Sequence, residues 1–411
     1  MKLNSLSALS VLLLSTSALA GGYQLSEYSV TNLGRSFAGA GVVGDDYSAL
    51  AFNPAAMNLR GTGAQLGANQ FTLYSNSKGV LRDKTTGAEV PSAGLAKGKL
   101  REYYVLPHAF AQTKLNDVVT AGLGFYIPFG LGTHYNKNWY GASHALDSEI
   151  SAMDVVPGIS VKLNDQWSIG ANVIFERMDA KLTNTLGAAT NNKSWMKADG
   201  WGYGWSAGIM YKPFENTRFG ITYRSAIDHK IKGRQYLEGL NRSGVVSTKL
   251  TMPEHVLISA YQKLGDWGLS ASARWTRWSR FDILNIYSTV FGPERNVSQV
   301  DEKWKNVWMI SAGVDYDINE NWTVRTGLAW DEGAVSDYVH RTARVPDNDR
   351  WIASVGASYK YNNWQLDAGY SHLFVKTSRT WNTGTNSSNT VLDAKYNMVI
   401  DIVGLAAQYN F

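Results

Sequence analysis

The stretch Ile318-Asn319-Glu320-Asn321-Trp322-Thr323-Val324-Arg325-Thr326-Gly327-Leu328-Ala329-Trp330 decides the fold. It is a short polar turn, one aromatic residue, and then a segment with two unlike faces. Val324, Thr326, Leu328 and Trp330 lie on one face, and Thr323, Arg325, Gly327 and Ala329 on the other. Period two is the spacing of a β-strand, because successive side chains leave a pleated backbone in opposite directions. The unit recurs. Phe219, Ile221 and Tyr223 oppose Gly220, Thr222 and Arg224, and Leu269, Ala271, Ala273 and Trp275 oppose Gly268, Ser270, Ser272 and Arg274. In a soluble sandwich the apolar face would meet a second sheet. Here the opposite face carries Gly, Ser, Thr, Asn and isolated charges in almost every segment, which fits apolar outward to lipid and polar inward to a lumen. A bilayer admits strands only when the sheet closes and pairs every backbone group. The fold class is therefore all-β, an antiparallel transmembrane barrel.

Working outward from that stretch, the connections alternate in length. Short polar turns occur at 115–117, 163–166, 213–216, 264–266, 318–321 and 361–363, and longer polar segments near 77–99, 132–147, 183–200, 233–247, 283–302, 333–348 and 379–391. About six short turns and about seven long loops require about fourteen strands, with both ends on the periplasmic side. Trp167, Trp267, Trp322 and Trp364 each follow a short turn, which predicts an aromatic girdle at the periplasmic rim. The chain closes with Val403, Leu405, Ala407, Tyr409 and Phe411 on one face. A terminal Phe in such a face is like the signal by which the barrel assembly machinery recognises its clients, so that machinery is an expected partner.

The other end reads differently. Lys2, the apolar run Leu9 to Leu14 and Ala18-Leu19-Ala20 form an export signal over residues 1–20, and no later run of eighteen apolar residues could make a spanning helix. Residues 21–62 are rich in Gly and Ala, with helix-like pieces at Val30 to Ala38 and Tyr47 to Phe52, and are too few for a core of their own. They are expected to fold inside the barrel, 63–411, as a helical hatch. The absence of cysteine excludes disulfides and thiolate chemistry, and the net charge of +5 comes from interspersed charges of both signs, without the basic stripe of a nucleic-acid binder.

Two catalytic motifs fail on context. Gly204-Trp205-Ser206-Ala207-Gly208 matches G-x-S-x-G but continues as a period-two strand, where a nucleophile elbow needs strand, turn and helix. Gly39-Ala40-Gly41-Val42-Val43-Gly44 matches G-x-G-x-x-G without a βαβ unit around it. The seven histidines show no i, i+4 pair, so neither metal nor cofactor is expected, and no enzyme. Strand parity places Arg224, Arg274, Arg325, Lys303 and Lys305 in the lumen, the last two because Trp308, Ile310, Ala312, Val314 and Tyr316 define the opposite face. Such cations could hold a carboxylate ligand, or simply pair with lumenal Asp and Glu.

Tyr23-Gln24-Leu25-Ser26-Glu27-Tyr28-Ser29, Leu33-Gly34-Arg35-Ser36-Phe37-Ala38-Gly39 and Ala51-Phe52-Asn53-Pro54-Ala55 resemble the N-terminus of the FadL family of long-chain fatty acid transporters. Arg341-Thr342 and Val345-Pro346-Asp347-Asn348-Asp349-Arg350-Trp351 resemble the family's loop into its twelfth strand. The resemblance implies a monomeric barrel of fourteen strands closed by the hatch and surrounded by outer-membrane lipids and lipopolysaccharide. It also implies passive uptake, by binding in a lumenal hydrophobic pocket and sideways release through a gap at a kinked third strand. Here that strand is Val118 to Leu131, with Gly122, Gly124, Pro128 and Gly130 to bend it. Asn53, Pro54 and Ala55 would line the gap. The family's carboxylate-binding positions imply Arg177 and Lys303, although alternation after Trp167 turns Arg177 outward and Glu176 inward, so that role requires a bulge or a displaced register. A channel for monoaromatic hydrocarbons on the same fold is the nearest alternative. A general porin or an outer-membrane lipase acting through Ser206 stands further off.

Overall fold

The computed structural model describes residues 21–91, 97–188, 190–385 and 388–411; the expected export signal lies outside them. Among the described residues the wall is built of β1 (Gly63–Asp83), β2 (Lys97–Lys114), β3 (Val119–His134), β4 (Asp147–Lys162), β5 (Trp167–Thr185) and β6 (Lys193–Phe214). It continues through four strands that each run in two stretches: β7 (Thr217–Arg224, Ile227–Leu237), β8 (Arg242–Met252, His255–Leu264), β9 (Trp267–Thr276, Ile283–Ser288) and β10 (Arg295–Asp301, Val307–Asp317). β11 (Trp322–Asp331), β12 (Arg350–Tyr361), β13 (Trp364–Val375, Ser378–Asn382) and β14 (Thr390–Asn410) complete it. Every neighbour pair is antiparallel, and β1 pairs with β14 from Gly63↔Asn410 to Asp83↔Thr390, which closes a fourteen-stranded barrel and leaves no sheet edge at the seam.

The alternation read from the sequence sets the two surfaces. Leu328, Val355, Leu366 and Leu405 are half or more exposed, on the face that meets lipid, whereas Ser354, Asp367, Ser371 and Gln408 are buried inside. At the periplasmic rim the tryptophans pair across strands: Trp167 with Tyr211 at 4.3 Å between ring centres, Trp267 with Tyr316 at 4.6 Å, Trp322 with Tyr359 at 4.8 Å and Trp364 with Tyr409 at 4.8 Å. Rings that are apolar on one side and polar at the tip belong at that boundary.

Several outer segments expected as loops are strand. β7 and β8 are joined by only residues 238–241, and β9 and β10 carry paired stretches inside the 283–302 segment. Above the membrane both faces of a strand meet water or polar groups, so the backbone ladder persists after the apolar alternation that would reveal it has stopped.

Residues 21–62 fill the interior. They hold two short helices, α1 (Val30–Leu33) and α2 (Ala49–Phe52), and a 3-10 turn (Pro54–Leu59), so the helical pieces are shorter than the sequence suggested. Gly39, Gly41 and Gly44 all take positive φ, which puts the G-x-G-x-x-G match in hatch turns. Ser206 sits within β6 and donates to Asn172 Oδ1 at 2.8 Å, as an ordinary strand residue.

Candidate ligand-binding path

The third strand departs from its neighbours where glycine and proline weaken it. β2 pairs with β3 only from Ala109↔Phe125 to Lys114↔Thr120, so the β2–β3 backbone ladder does not extend over residues 97–108, and the β3–β4 register slips between Tyr126 and Phe129. Tyr126 to Thr133 are all buried, because the strand turns inward. Pro128 lies within the slip; it has no amide hydrogen to give a ladder. The freed edge is taken by the hatch: Leu25 N donates to Pro128 O at 2.7 Å and Gly130 N to Tyr23 O at 2.9 Å.

Around that joint is an aromatic cluster. Tyr23 lies 4.7 Å from Trp278, 5.5 Å from Trp304, 5.9 Å from Phe281 and 6.3 Å from Phe129 between ring centres, mostly edge to face. Trp278, Phe281 and Trp304 come from the breaks inside β9 and β10. The sequence signal for them is the loss of alternation between Thr276 and Ile283 and between Asp301 and Val307.

Above the cluster, under the outer loops, is a cavity of about 130 Å³. Leu182, Met196, Leu284, Ile286 and Val300 give it an apolar wall, and Arg344, His144 and Glu302 a polar one. Glu302 also accepts a hydrogen bond from Trp304 Nε1 at 3.0 Å, which joins cavity to cluster. Arg344 Nη1 is 2.8 Å from Ser148 Oγ and 3.4 Å from the Asp147 carbonyl, with no carboxylate partner among the described residues. Burial lowers its pKa to about 10, so it stays cationic at neutral pH. Burial first, and the Arg344 charge second, hold His144 at about 4, hence neutral. A second, small pocket of about 20 Å³ lies against the hatch, where Arg274 donates to Ser26 Oγ beside His255, Tyr28 and Phe52. Arg274 too has no carboxylate partner among the described residues.

The remaining sequence candidates separate. Arg224 and Arg325 face the interior as parity requires, but both are occupied. Arg224 pairs with Asp154 at 2.6 Å and Glu176 at 2.8 Å, and Arg325 lies 3.4 Å from both Asp45 and Asp315 and 2.7 Å from Ser358 Oγ. The hatch residue Arg35 joins the second group, at 2.8 Å from Asp45 and 3.1 Å from Asp315.

Arg177 is corrected: no bulge turns it inward, and it lies on the outer face, paired with Asp199 at 2.8 Å and 5.7 Å from the Trp201 ring centre, while Glu176 points in. Lys303 is corrected as well. The ladder of β10 is interrupted between its two stretches and Lys303 takes φ +44°, so parity slips by one, Glu302 and Trp304 turn inside, and Lys303 is exposed. Lys305 is paired with Glu332 at 2.6 Å.

Asn53, Pro54 and Ala55 are likewise moved from the expected place. Asn53 Nδ2 donates to the Ile209 carbonyl at 3.3 Å, Ser160 Oγ donates to Ala55 O at 3.0 Å, and Pro54 lies against Gly170, so the element packs on β4 to β6. At the kink it is Tyr23 to Leu25 that bond the third strand. Lower on that strand, Met57 packs on Gly122 and Leu50 on Gly124.

Known proteins share this fold. The family described as outer membrane protein transport protein (OMPP1/FadL/TodX) matches residues 11–411. The chain is 27% identical to the long-chain fatty acid transport protein of Escherichia coli (strain K12), covering 92% of this chain and 96% of that protein. It is 26% identical to outer membrane protein P1 of Haemophilus influenzae, over 99% of both. The crystal structure of a Pseudomonas aeruginosa FadL homologue aligns with a TM-score of 0.85 at 25% identity, over 95% of this chain and 100% of that one. The P. putida toluene transporter TodX aligns at 0.65 with 16% identity, over 89% and 94%, a likeness of fold. A closed barrel, an internal hatch and a family match over almost the whole length lead to one conclusion: this chain belongs to the OMPP1/FadL/TodX family of outer-membrane transport proteins.

Proposed function

We propose that the protein takes up long-chain fatty acids passively, holding the carboxylate at Arg344 under the outer loops and releasing the acid sideways where β3 leaves β2. The observation that carries this reading is a cationic guanidinium with no carboxylate partner among the described residues, set in a cavity whose other wall is apolar. A chain returned to water loses about 0.8 kcal/mol per methylene, so a long acyl tail favours a route that stays among apolar side chains and opens into lipid. The aromatic cluster around Tyr23 lies below the cavity and beside the kink, on such a route. Rings held by edge contacts can part for a tail without breaking a hydrogen-bond ladder. Arg274 is the next cation inward.

The experiment is binding and uptake of labelled oleate by Arg344→Met and Arg344→Lys. Losing a charge-assisted contact costs about 1.5–3 kcal/mol, so Arg344→Met weakens oleate binding by about 10- to 100-fold, while Arg344→Lys keeps much of it. Burial raises the Glu302 carboxyl in the same cavity to about 8, so binding falls as pH rises past about 8, where a second carboxylate forms beside Arg344, and falls further as pH passes about 10 and the cation is lost. Toluene, which is neutral, separates the alternative: a monoaromatic channel leaves toluene uptake dominant and oleate indifferent to Arg344→Met. Unchanged oleate affinity in Arg344→Met would refute the assignment.

A further inference from the structure

The outer wall marks its own height. Tyr409 on β14 and Tyr211 on β6 stand in the periplasmic girdle. Ten residues further along each strand aromatics face outward again: Tyr74, directly opposite Val399, on one side of the barrel, and Trp201 on the other. Ten residues at about 3.4 Å each, on strands tilted about 40°, rise about 25 Å, the height of the apolar band of such barrels. The wall therefore leaves the hydrocarbon near Tyr74 and Trp201.

Four residues beyond Val399 is Lys395. It stands directly opposite Lys78 of β1 on one side and Arg379 of β13 on the other. Lys99 and Arg101 of β2 lie beside them, opposite Asn76 and Tyr74, and the Arg101 guanidinium is 5.1 Å from the Tyr74 ring centre and 5.3 Å from that of Tyr103. All five side chains are exposed on the outward face. Arg379 approaches Asp393 at 3.7 Å, a carboxylate it shares with Arg82. Among the described residues the other four have no carboxylate partner. Like charges directly opposite in neighbouring strands destabilise a sheet. The same offset appears across the barrel, where Lys197, four residues beyond Trp201, stands opposite Arg234.

We propose that the patch of Arg379, Lys395, Lys78, Lys99 and Arg101 docks the phosphate groups of an outer-leaflet glycolipid of the lipid A type. Charge complementarity selects the occupant. The cations sit where lipid phosphates lie, and directly below them Tyr103, Phe374, Val399 and Val403 present an exposed apolar wall for acyl chains. Inorganic phosphate would use only the upper half of that surface.

The test is native mass spectrometry of the detergent-solubilised full chain with three probes: bisphosphorylated lipid A, the same lipid dephosphorylated, and inorganic phosphate as competitor. Bisphosphorylated lipid A is expected to bind at least about tenfold better than the dephosphorylated form, and Lys78→Gln/Lys99→Gln/Lys395→Gln to lose at least about that factor. The corresponding triple arginine variant keeps binding, and excess phosphate displaces nothing. Equal binding of the two lipids overturns the proposal, as does full retention by the glutamine variant or displacement by phosphate. Should the glutamine variant not assemble, the comparison of the two lipids on the unaltered protein decides.

Discussion

Arg224 shows why a lumenal cation need not be a ligand site. Its guanidinium reaches Asp154, Glu176 and, at 3.1 Å, the Tyr126 hydroxyl, and His229 Nε2 lies 2.7 Å from the second Glu176 oxygen. Both carboxylates are buried, and the guanidinium pairs with both while tying Tyr126 of the kinked third strand to β4, β5 and β7. Breaking such a group by removing one partner costs about 3–5 kcal/mol, since the remaining charges stay buried without compensation. Arg224→Met is therefore expected to lower the unfolding midpoint in detergent and urea clearly, and Arg224→Met combined with Asp154→Asn and Glu176→Gln to recover most of the loss. A single variant as stable as the parent would show that water already balances the pair.

At the scale of elements, the hatch is held by close approach as much as by charge. A Cβ at Gly327 would lie 2.1 Å from the Arg35 carbonyl oxygen, and one at Gly208 would lie 2.1 Å from Asn53 Oδ1. Those wall positions admit no side chain while the hatch is docked. Gly327→Val is expected to leave the barrel assembled, because the residue's strand neighbours are unchanged, but to dislodge the segment around Arg35. Heat-modifiable migration on gels checks assembly, and planar-bilayer recording should then show ion conductance above that of the parent. A variant that assembles and stays silent would mean that the hatch can shift without opening a path. The kink follows the same logic from the other direction: there the wall gives way, and the backbone of Tyr23 and Leu25 supplies the hydrogen bonds that the slipped strand has lost.

For the whole molecule, the hatch and the wall divide two tasks. The wall closes on itself, its ladder interrupted where β3 leaves β2, and the hatch fills the interior. Deleting residues 21–59 is expected to give a barrel that conducts ions and takes up small polar solutes, with oleate selectivity lost. Liposome swelling and labelled-oleate uptake measure the two effects together. Selective oleate uptake that survives the deletion would refute a role for the hatch in selectivity.

The linear chain carried the strand number, the inside-outside assignment, the girdle and the existence of a plug, because each depends on local period, turn chemistry or composition. It also placed Arg224, Arg274 and Arg325 inside, since parity within an unbroken strand is a local property. Tertiary structure decided the rest. Lys303 left the lumen at a break in β10 that shifts parity by one, and Arg344 reached the cavity from a loop with no periodicity to read. Tyr23 met Trp278 and Trp304 across 255 and 281 positions. The charges that look interspersed along the chain gather into a cationic row only because β13, β14, β1 and β2 set Arg379, Lys395 and Lys78 side by side. Contacts between distant residues follow from register and closure, which are properties of the assembled sheet and of no single segment.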